Sequence, residues 1–278
     1  MNLLDALLLG IVEGLTEFLP VSSTGHLTIV EKLLGLQVDD PGVTAFTAII
    51  QIGAISAVLV YFRRDIATLA AAWFRGLARP AERSGQDYRL AWYIIAGSIP
   101  IGVVGFAARD LISGPLRNLW VVTAALVVWS LFMYLAERIG TRSRGEGDVT
   151  MKDVLVIGLV QCIALIPGVS RSGATISAGL FRGLDRVVAT RLSFFLSIPA
   201  LVAAGIYQAV TATSDISATV GWGMTGVATL VSFVVAYVSI AWLLRLVAHH
   251  SISVFIGYRL VLAAALAVAL GTGVLSAT

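Results

Sequence analysis

Long apolar runs alternate along the chain with short polar stretches, and the runs are longer than a soluble core uses. Six of them, about 43–62, 90–108, 118–137, 191–211, 221–244 and 254–275, are each long enough to cross a membrane as a helix. A hydrocarbon layer about 30 Å thick needs roughly 20 apolar residues at 1.5 Å rise per residue. Pro100 and Pro199 fall inside two of the runs, each preceded by Ser-Ile. Kinks there are tolerable where neighbouring helices satisfy the freed backbone groups.

Two further regions are apolar but broken midway. In 3–36 the break is Leu19-Pro20-Val21-Ser22-Ser23-Thr24-Gly25, and in 152–184 it is Pro167-Gly168-Val169-Ser170-Arg171-Ser172-Gly173. Each arm has only about 11–17 residues, short for a crossing. The pattern predicts two re-entrant helical hairpins that dip into the membrane and return to the same side. Their irregular tips must be buried in protein or line a wet cavity, because lipid cannot hydrogen-bond open backbone groups. At 64–79, Ile66, Leu69, Trp73 and Leu77 share one face with arginines beside them, which predicts a helix lying on the membrane surface. The expected fold is an all-α polytopic membrane protein, six full transmembrane helices plus two re-entrant helical hairpins, in a single domain over 1–278.

The two broken regions are also related to each other. A shift of 148 residues lays 10–25 over 158–173, pairing Gly10, Val12, Val21, Ser22 and Gly25 with Gly158, Val160, Val169, Ser170 and Gly173; Phe46 and Ile50 then meet Phe194 and Ile198 without a gap. Three crossings separate the copies, so the repeats, approximately 1–137 and 149–278, are expected to be inverted. Inverted repeats with broken helices put a site near the midplane, where two tips can meet.

Composition agrees with a lipid-facing exterior. Hydrophobic residues make up 58% of the 278, charged residues 13%, and mean hydropathy is +0.92, against about 25% charged residues in a soluble domain. The net charge of +3 is too small to suggest a nucleic-acid partner. Its distribution says more. With each hairpin counted as no net crossing, the loops 63–89, 138–152, 182–191 and 245–253 and the span ends beside them hold fifteen Lys or Arg, Arg259 counted among them. The opposite loops, near 37–42, 109–117 and 212–220, hold only Arg109 and Arg117. The positive-inside rule then puts both termini outside. The N-terminus is not expected to be a cleaved signal peptide, because no Lys or Arg precedes Lys32 and the apolar stretch carries Asp5, Glu13 and Glu17. Cys162 stands alone, so no intrachain disulfide or cysteine metal site is available.

Charge inside a bilayer costs roughly 2.5–3.5 kcal/mol per residue on insertion scales, which singles out Glu13, Glu17, His26 and Arg171 in the hairpins. Glu13 and Glu17, four apart, share a helix face. Two adjacent carboxylates repel or share a proton unless a divalent metal or the Arg171 guanidinium lies between them; the plainer reading is a structural brace. Ser22, Ser23, Thr24 and His26 sit on a turn that opens a short helix. Ser170, Arg171, Ser172, Gly173 and Thr175 repeat that arrangement. Helix N-termini offer free N–H groups and a partial positive charge suited to phosphate, and a guanidinium adds bidentate binding; the plainer reading of each hydroxyl is N-capping. Two such helix starts facing one another would make a diphosphate cradle. Residue patterns alone leave a transporter or flippase as an equal alternative to an enzyme.

At EGLTEFLPVSSTGH (13–26) and PGVSRSGATIS (167–177) the sequence closely resembles the bacterial undecaprenyl-diphosphate phosphatase family, along its whole length. The resemblance implies a membrane hydrolase that converts undecaprenyl diphosphate to undecaprenyl phosphate and inorganic phosphate, recycling the lipid carrier of peptidoglycan synthesis and associated with bacitracin resistance. It further implies a location in the bacterial plasma (inner) membrane with the site opening to the outer face, a prenyl diphosphate lipid as substrate, a divalent cation (Mg2+ or Ca2+) and a homodimer. Carried over by position, Glu13 and Glu17 match the family's acidic pair, the candidate metal holders, Ser23 its nucleophile and His26 its essential histidine. Ser170, Arg171, Ser172 and Thr175 match its diphosphate-binding motif. A weaker likeness to type 2 phosphatidic-acid phosphatases fails at their second histidine, since none follows Arg171 within the hairpin. The attacking group is left open among Ser23, His26 and a metal-bound water.

Overall fold

The computed structural model describes residues 1–38, 40–211 and 220–277; the loop expected at 212–220 falls outside them except for Val220. Among the described residues every regular element is helical. Six helices are long and apolar enough to cross a membrane: α3 (Pro41–Tyr61), α5 (Gln86–Ala107), which the short α6 (Arg109–Ser113) follows, α7 (Leu119–Ile139), α10 (Arg186–Thr211), α11 (Trp222–His249) and α12 (Ser253–Gly271). The chain is a multi-pass membrane protein. α10 and α11 run about five residues beyond the apolar stretches read from sequence, at the first helix's start and the second's end, because backbone hydrogen bonding continues past the edge of hydrophobicity. Pro100 and Pro199 sit within α5 and α10, as expected.

The two interrupted regions form helix–break–helix units. α1 (Leu3–Thr16) and α2 (Ser23–Leu33) flank one break, α8 (Met151–Gln161) and α9 (Arg171–Phe181) the other. At 11–14 residues these helices are about 16–21 Å long, too short to span about 30 Å of hydrocarbon. Each second helix is capped by the serine before it. Ser22 and Ser170 have φ of 79° and 74°, and each side chain accepts the N–H three residues on, from Gly25 and Gly173. The left-handed backbone is costly for a serine, and the cap bond offsets it by satisfying a first-turn donor.

The units pack against the long helices, with α1 and α8 each keeping an exposed apolar face. α11 lies against α1 and α3, α5 against α8 and α10, α7 against α9 and α12, and α9 against α10. α4 (Arg63–Ala78) follows α3 directly and rests on α5, with Trp73 5.6 Å from Trp92 and Ile66 and Leu69 against the core.

Outside the six spans, Asp153 in the first turn of α8 takes Arg144 Nη2 at 2.6 Å, Arg182 Nε at 2.7 Å and Thr150 Oγ1 at 2.7 Å. Burial pushes its carboxyl up, but hydrogen bonds from Arg144, Thr150 and Arg182 outweigh that and hold it well below the usual carboxylate range.

One charge is not where the sequence suggested. Arg259, counted above with the loop charges at a span end, is fully buried in α12. It donates to the carbonyls of Pro20 (3.2 Å), Gly168 (2.9 Å), Ala125 and Leu126 and to Ser130 Oγ. The open carbonyls of both broken tips supply partners that a loop position would not, and the charge asymmetry becomes fourteen against two.

Candidate active site

The two tips touch directly. Gly168 N–H donates to Ser22 Oγ at 3.0 Å, and Ser172 Oγ donates to the Leu19 carbonyl at 2.9 Å. With Arg259 bonded to a carbonyl of each tip, both breaks have backbone groups satisfied by protein, which is the condition for irregular chain at membrane depth.

Beside this junction lies a cavity of about 350 Å³, lined among others by Glu13, Glu17, Ser22, Ser23, Thr24, Ser170 and Arg171. Glu17, at the end of α1, joins the tips chemically. One carboxylate oxygen accepts from Ser23 Oγ at 2.6 Å, and the other accepts from Arg171 Nη2 at 2.9 Å. A hydroxyl is thus held against a carboxylate that a guanidinium orients, an arrangement able to supply a nucleophile, a base and an orienter. Phe18 next to Glu17 packs edge-on to Phe194 at 5.3 Å and lies beneath the Arg171 guanidinium at 6.0 Å, which restricts both side chains.

Several polar atoms here are left without protein partners. Both oxygens of Glu13, a residue 1% exposed, and Nη1 of Arg171 are buried and make no hydrogen bond among the described residues. Polar atoms buried without partners are costly, and native structures rarely keep them without a ligand or a chemical task.

Not every residue singled out from sequence faces the cavity. His26 has both ring nitrogens engaged elsewhere, with Nδ1 2.7 Å from the Ser22 carbonyl and Nε2 2.6 Å from Tyr258 Oη. A carbonyl only accepts, so the proton sits on Nδ1, and Nε2 of the neutral ring accepts the tyrosine O–H. Thr175 Oγ1 reaches Ser193 Oγ at 2.7 Å, bracing α9 on α10, and Ser170 Oγ accepts from Gly173 N–H at 3.1 Å while lying 3.1 Å from Ser172 Oγ. Ser22, Ser23, Thr24, Ser170 and Arg171 therefore meet the cavity, while Ser172, Gly173 and Thr175 shape the tip behind it.

Residues 6–265 match the family described as bacitracin resistance protein BacA. The chain belongs to that family. It is similar over its full length to "Undecaprenyl-diphosphatase 3" of Frankia casuarinae, 63% identical over 278 residues with all of both chains covered. It is also similar to "Undecaprenyl-diphosphatase" of Acidothermus cellulolyticus, 54% identical over 279 residues with all of both covered, and of Cutibacterium acnes, 57% over 268 residues with 94% of each covered.

In this BacA-family chain the cavity has further polar lining that sequence reasoning missed. Glu31, 1% exposed with Oε2 unpartnered among the described residues, lies on the same face of α2 as Thr24 and Thr28, and Thr44, Thr47 and Gln51 line the cavity from α3. Both sets recur at three- and four-residue intervals, so the signal was present in the helical spacing. Arg117 closes the rim, donating to the Val38 carbonyl at 2.8 Å and Thr44 Oγ1 at 2.9 Å. Tyr258 and Arg259 were missed for another reason, since nothing local connects α12 to the tips.

The donor set bears on a cation. Among the described residues no three His, Cys, Asp or Glu side chains cluster as a metal site. Two carboxylates, with both Glu13 oxygens unpartnered, nevertheless fit a hard cation such as Mg2+, which takes one or two carboxylates and completes its shell with substrate phosphate oxygens and water.

Proposed function

We propose that the chain is an integral membrane phosphatase that hydrolyses undecaprenyl diphosphate to undecaprenyl phosphate and inorganic phosphate, as the names of its relatives indicate. The observation that carries this reading is Glu17, bonded at once to Ser23 Oγ and Arg171 Nη2 beside a cavity with unpartnered polar atoms.

Ser23 Oγ attacks the terminal phosphorus, and the bond from that phosphorus to the bridging oxygen breaks, so undecaprenyl phosphate leaves. The Oγ proton passes to Glu17 Oε2, 2.6 Å away, and from there to solvent. Water then attacks the phosphoserine, giving a proton to Glu17, which returns it to Ser23 Oγ as inorganic phosphate departs. Arg171 and the starts of α2 and α9 carry the negative charge of the transferring group. A divalent cation held by Glu13 and Glu17 would add neutralising charge on the diphosphate. His26, tied to Tyr258, keeps the Ser22–Ser23 turn in shape.

The two helix–break–helix units are read as re-entrant hairpins of an inverted repeat within one membrane domain. In support, Ser22 and Ser170 have matching backbone and cap bonds, and Phe46 and Phe194 are both fully buried. Gly10 and Gly158 are both pressed onto a neighbouring helix: an added Cβ would collide with the Ala228 carbonyl in one and with that of Gly97 in the other. Fourteen basic residues against two on the loops support termini outside a bacterial plasma membrane and a cavity opening to the outer face. Homodimer formation stays a proposal from the family resemblance.

The test is phosphate release from a prenyl diphosphate by purified protein, with and without a chelator. Wild type should turn over and lose activity with chelator, while Arg171→Ala and Glu17→Gln should be at least about 10²-fold slower. Full hydrolysis by both variants would refute the site assignment, and a carrier on the same scaffold would release no phosphate at all.

A further inference from the structure

A second pocket, of about 330 Å³, lies at the other end of α7. That helix begins beside Arg117 on the rim of the first cavity and runs 21 residues, about 30 Å at 1.5 Å per residue, so the two pockets sit toward opposite faces.

Three guanidiniums line it, from three places in the fold: Arg138 in the last turn of α7, Arg142 in the loop after it, and Arg186 at the start of α10. Among the described lining residues a single carboxylate joins them. Glu137, 7% exposed, accepts from Arg142 Nη1 at 3.1 Å, Arg186 Nη2 at 2.8 Å and the Ile252 N–H at 2.9 Å. Its charge is spent on aiming two of the arginines, and the pocket keeps an excess of positive charge. An arginine has five N–H donors, and among the described residues Arg142 bonds through Nη1, to the Glu137 carbonyl and carboxylate. Arg142 holds this position with φ of 54°, a backbone conformation rare for a side-chain-bearing residue.

The remaining lining also suits an anion. Ser251 and Ser253 face the pocket, and α12 starts there with its Ser253 N–H taken by Ser251 Oγ at 3.0 Å, so the start of the helix adds the positive end of its dipole. Arg138 is fixed by its bond to Tyr134 Oη at 3.1 Å and by lying 5.3 Å over that ring. Around the opening the surface is apolar, with Leu131, Tyr134, Leu135 and Val254 all exposed, as a bilayer requires. Basic pockets between transmembrane helices near a membrane face take anionic lipid headgroups.

We propose that this pocket binds the phosphate group of a membrane-anchored anionic lipid, with its tails along the exposed apolar surface of α7 and α12. The ligand chemistry is a phosphate with at least one full negative charge. The inference uses none of the chemistry at Ser23 and stands or falls apart from it.

The test counts lipids bound to purified protein by native mass spectrometry while dioctanoyl phosphatidic acid, dioctanoyl phosphatidylcholine or inorganic phosphate is titrated. The variant is Arg138→Gln/Arg142→Gln, which leaves the Glu137–Arg186 pair intact. Arg138→Gln alone, at an exposed residue bonded within its own helix, is the second variant should the first fail to fold. The reaction cavity is unchanged in both variants, so the difference from wild type reports the second pocket. Wild type should bind one more phosphatidic acid than the double variant, or the same one at least about tenfold more tightly, the effect of two surface arginines on an anionic headgroup. Phosphatidylcholine should bind no better to wild type than to the variant. Inorganic phosphate with equal affinity and equal sensitivity to the variant would keep the phosphate site and assign its ligand to solution. Phosphatidic acid binding that is the same in wild type and both variants would overturn the proposal.

Discussion

At the scale of residues, the candidate site is a small number of polar groups that the fold leaves partly without partners. Each Glu17 oxygen takes one bond from a tip, while Glu13 and Arg171 Nη1 are buried with nothing to bond among the described residues. Glu17→Gln keeps the shape and removes the proposed base, so kcat should fall by about 10²–10⁴, with a lower melting temperature because the buried Arg171 loses its counter-charge; a variant of ordinary kcat would take Glu17 out of the mechanism. Arg259 has the opposite profile, touching both tips and no substrate. Arg259→Leu leaves the tip carbonyls of Pro20 and Gly168 without that donor, each orphan costing about 1–3 kcal/mol. Its melting temperature should drop by about 2–4 °C per kcal/mol lost, and Arg259→Lys should not restore it, because one ammonium cannot reach acceptors spread over two tips. A melt indistinguishable from wild type would show that the tips hold together without it. Ser23, Glu17 and Arg171 were legible in the sequence because charge and hydroxyls are conspicuous in apolar runs. Tyr258 was not, since it meets His26 across 232 residues.

At the scale of elements, hydrophobic runs and their interruptions led to nearly every helix, within about five residues at the ends. Helix boundaries follow capping and backbone bonding, which hydropathy does not record. Breaks were legible because Pro, Gly and Ser cluster at both, but how they are satisfied was not, since that depends on which carbonyl faces which donor. Gly168 illustrates the tolerance of a tip. Its φ is +97°, and a Cβ there would stand 2.5 Å from the Val122 carbonyl oxygen, so Gly168→Ala should cost about 1–3 kcal/mol and lower both the melting temperature and turnover. Unchanged values in both would mean that the tip is looser than its packing indicates. At α8, Asp153 makes the start of the second broken unit sensitive to pH. Its folded carboxyl titrates below its unfolded value, so the stability it contributes is complete above about pH 4 and is lost as pH falls through the folded value. Melting temperature should decline below about pH 4 in wild type and decline less in Asp153→Asn; equal slopes would remove the Arg144–Asp153–Arg182 cluster from that role.

At the scale of the whole molecule, two broken units 148 residues apart bring their ends together, and a hydroxyl from one meets a guanidinium from the other through Glu17. Five identities between 10–25 and 158–173 were enough to align Ser22 with Ser170, whose φ angles then agree to within a few degrees. The outer lane of the cavity escaped that comparison. Under the same shift Glu31, Gln51 and Arg117 fall opposite Gly179, Pro199 and Ala265, so the polar lining belongs to one copy and no repetition marks it. The most direct test of the account is rapid quenching of wild-type protein with a prenyl diphosphate labelled at its terminal phosphate, followed by peptide mapping. Label should appear on Ser23, and Ser23→Ala should neither become labelled nor release phosphate. Unlabelled Ser23 during turnover, together with an active Ser23→Ala, would contradict it.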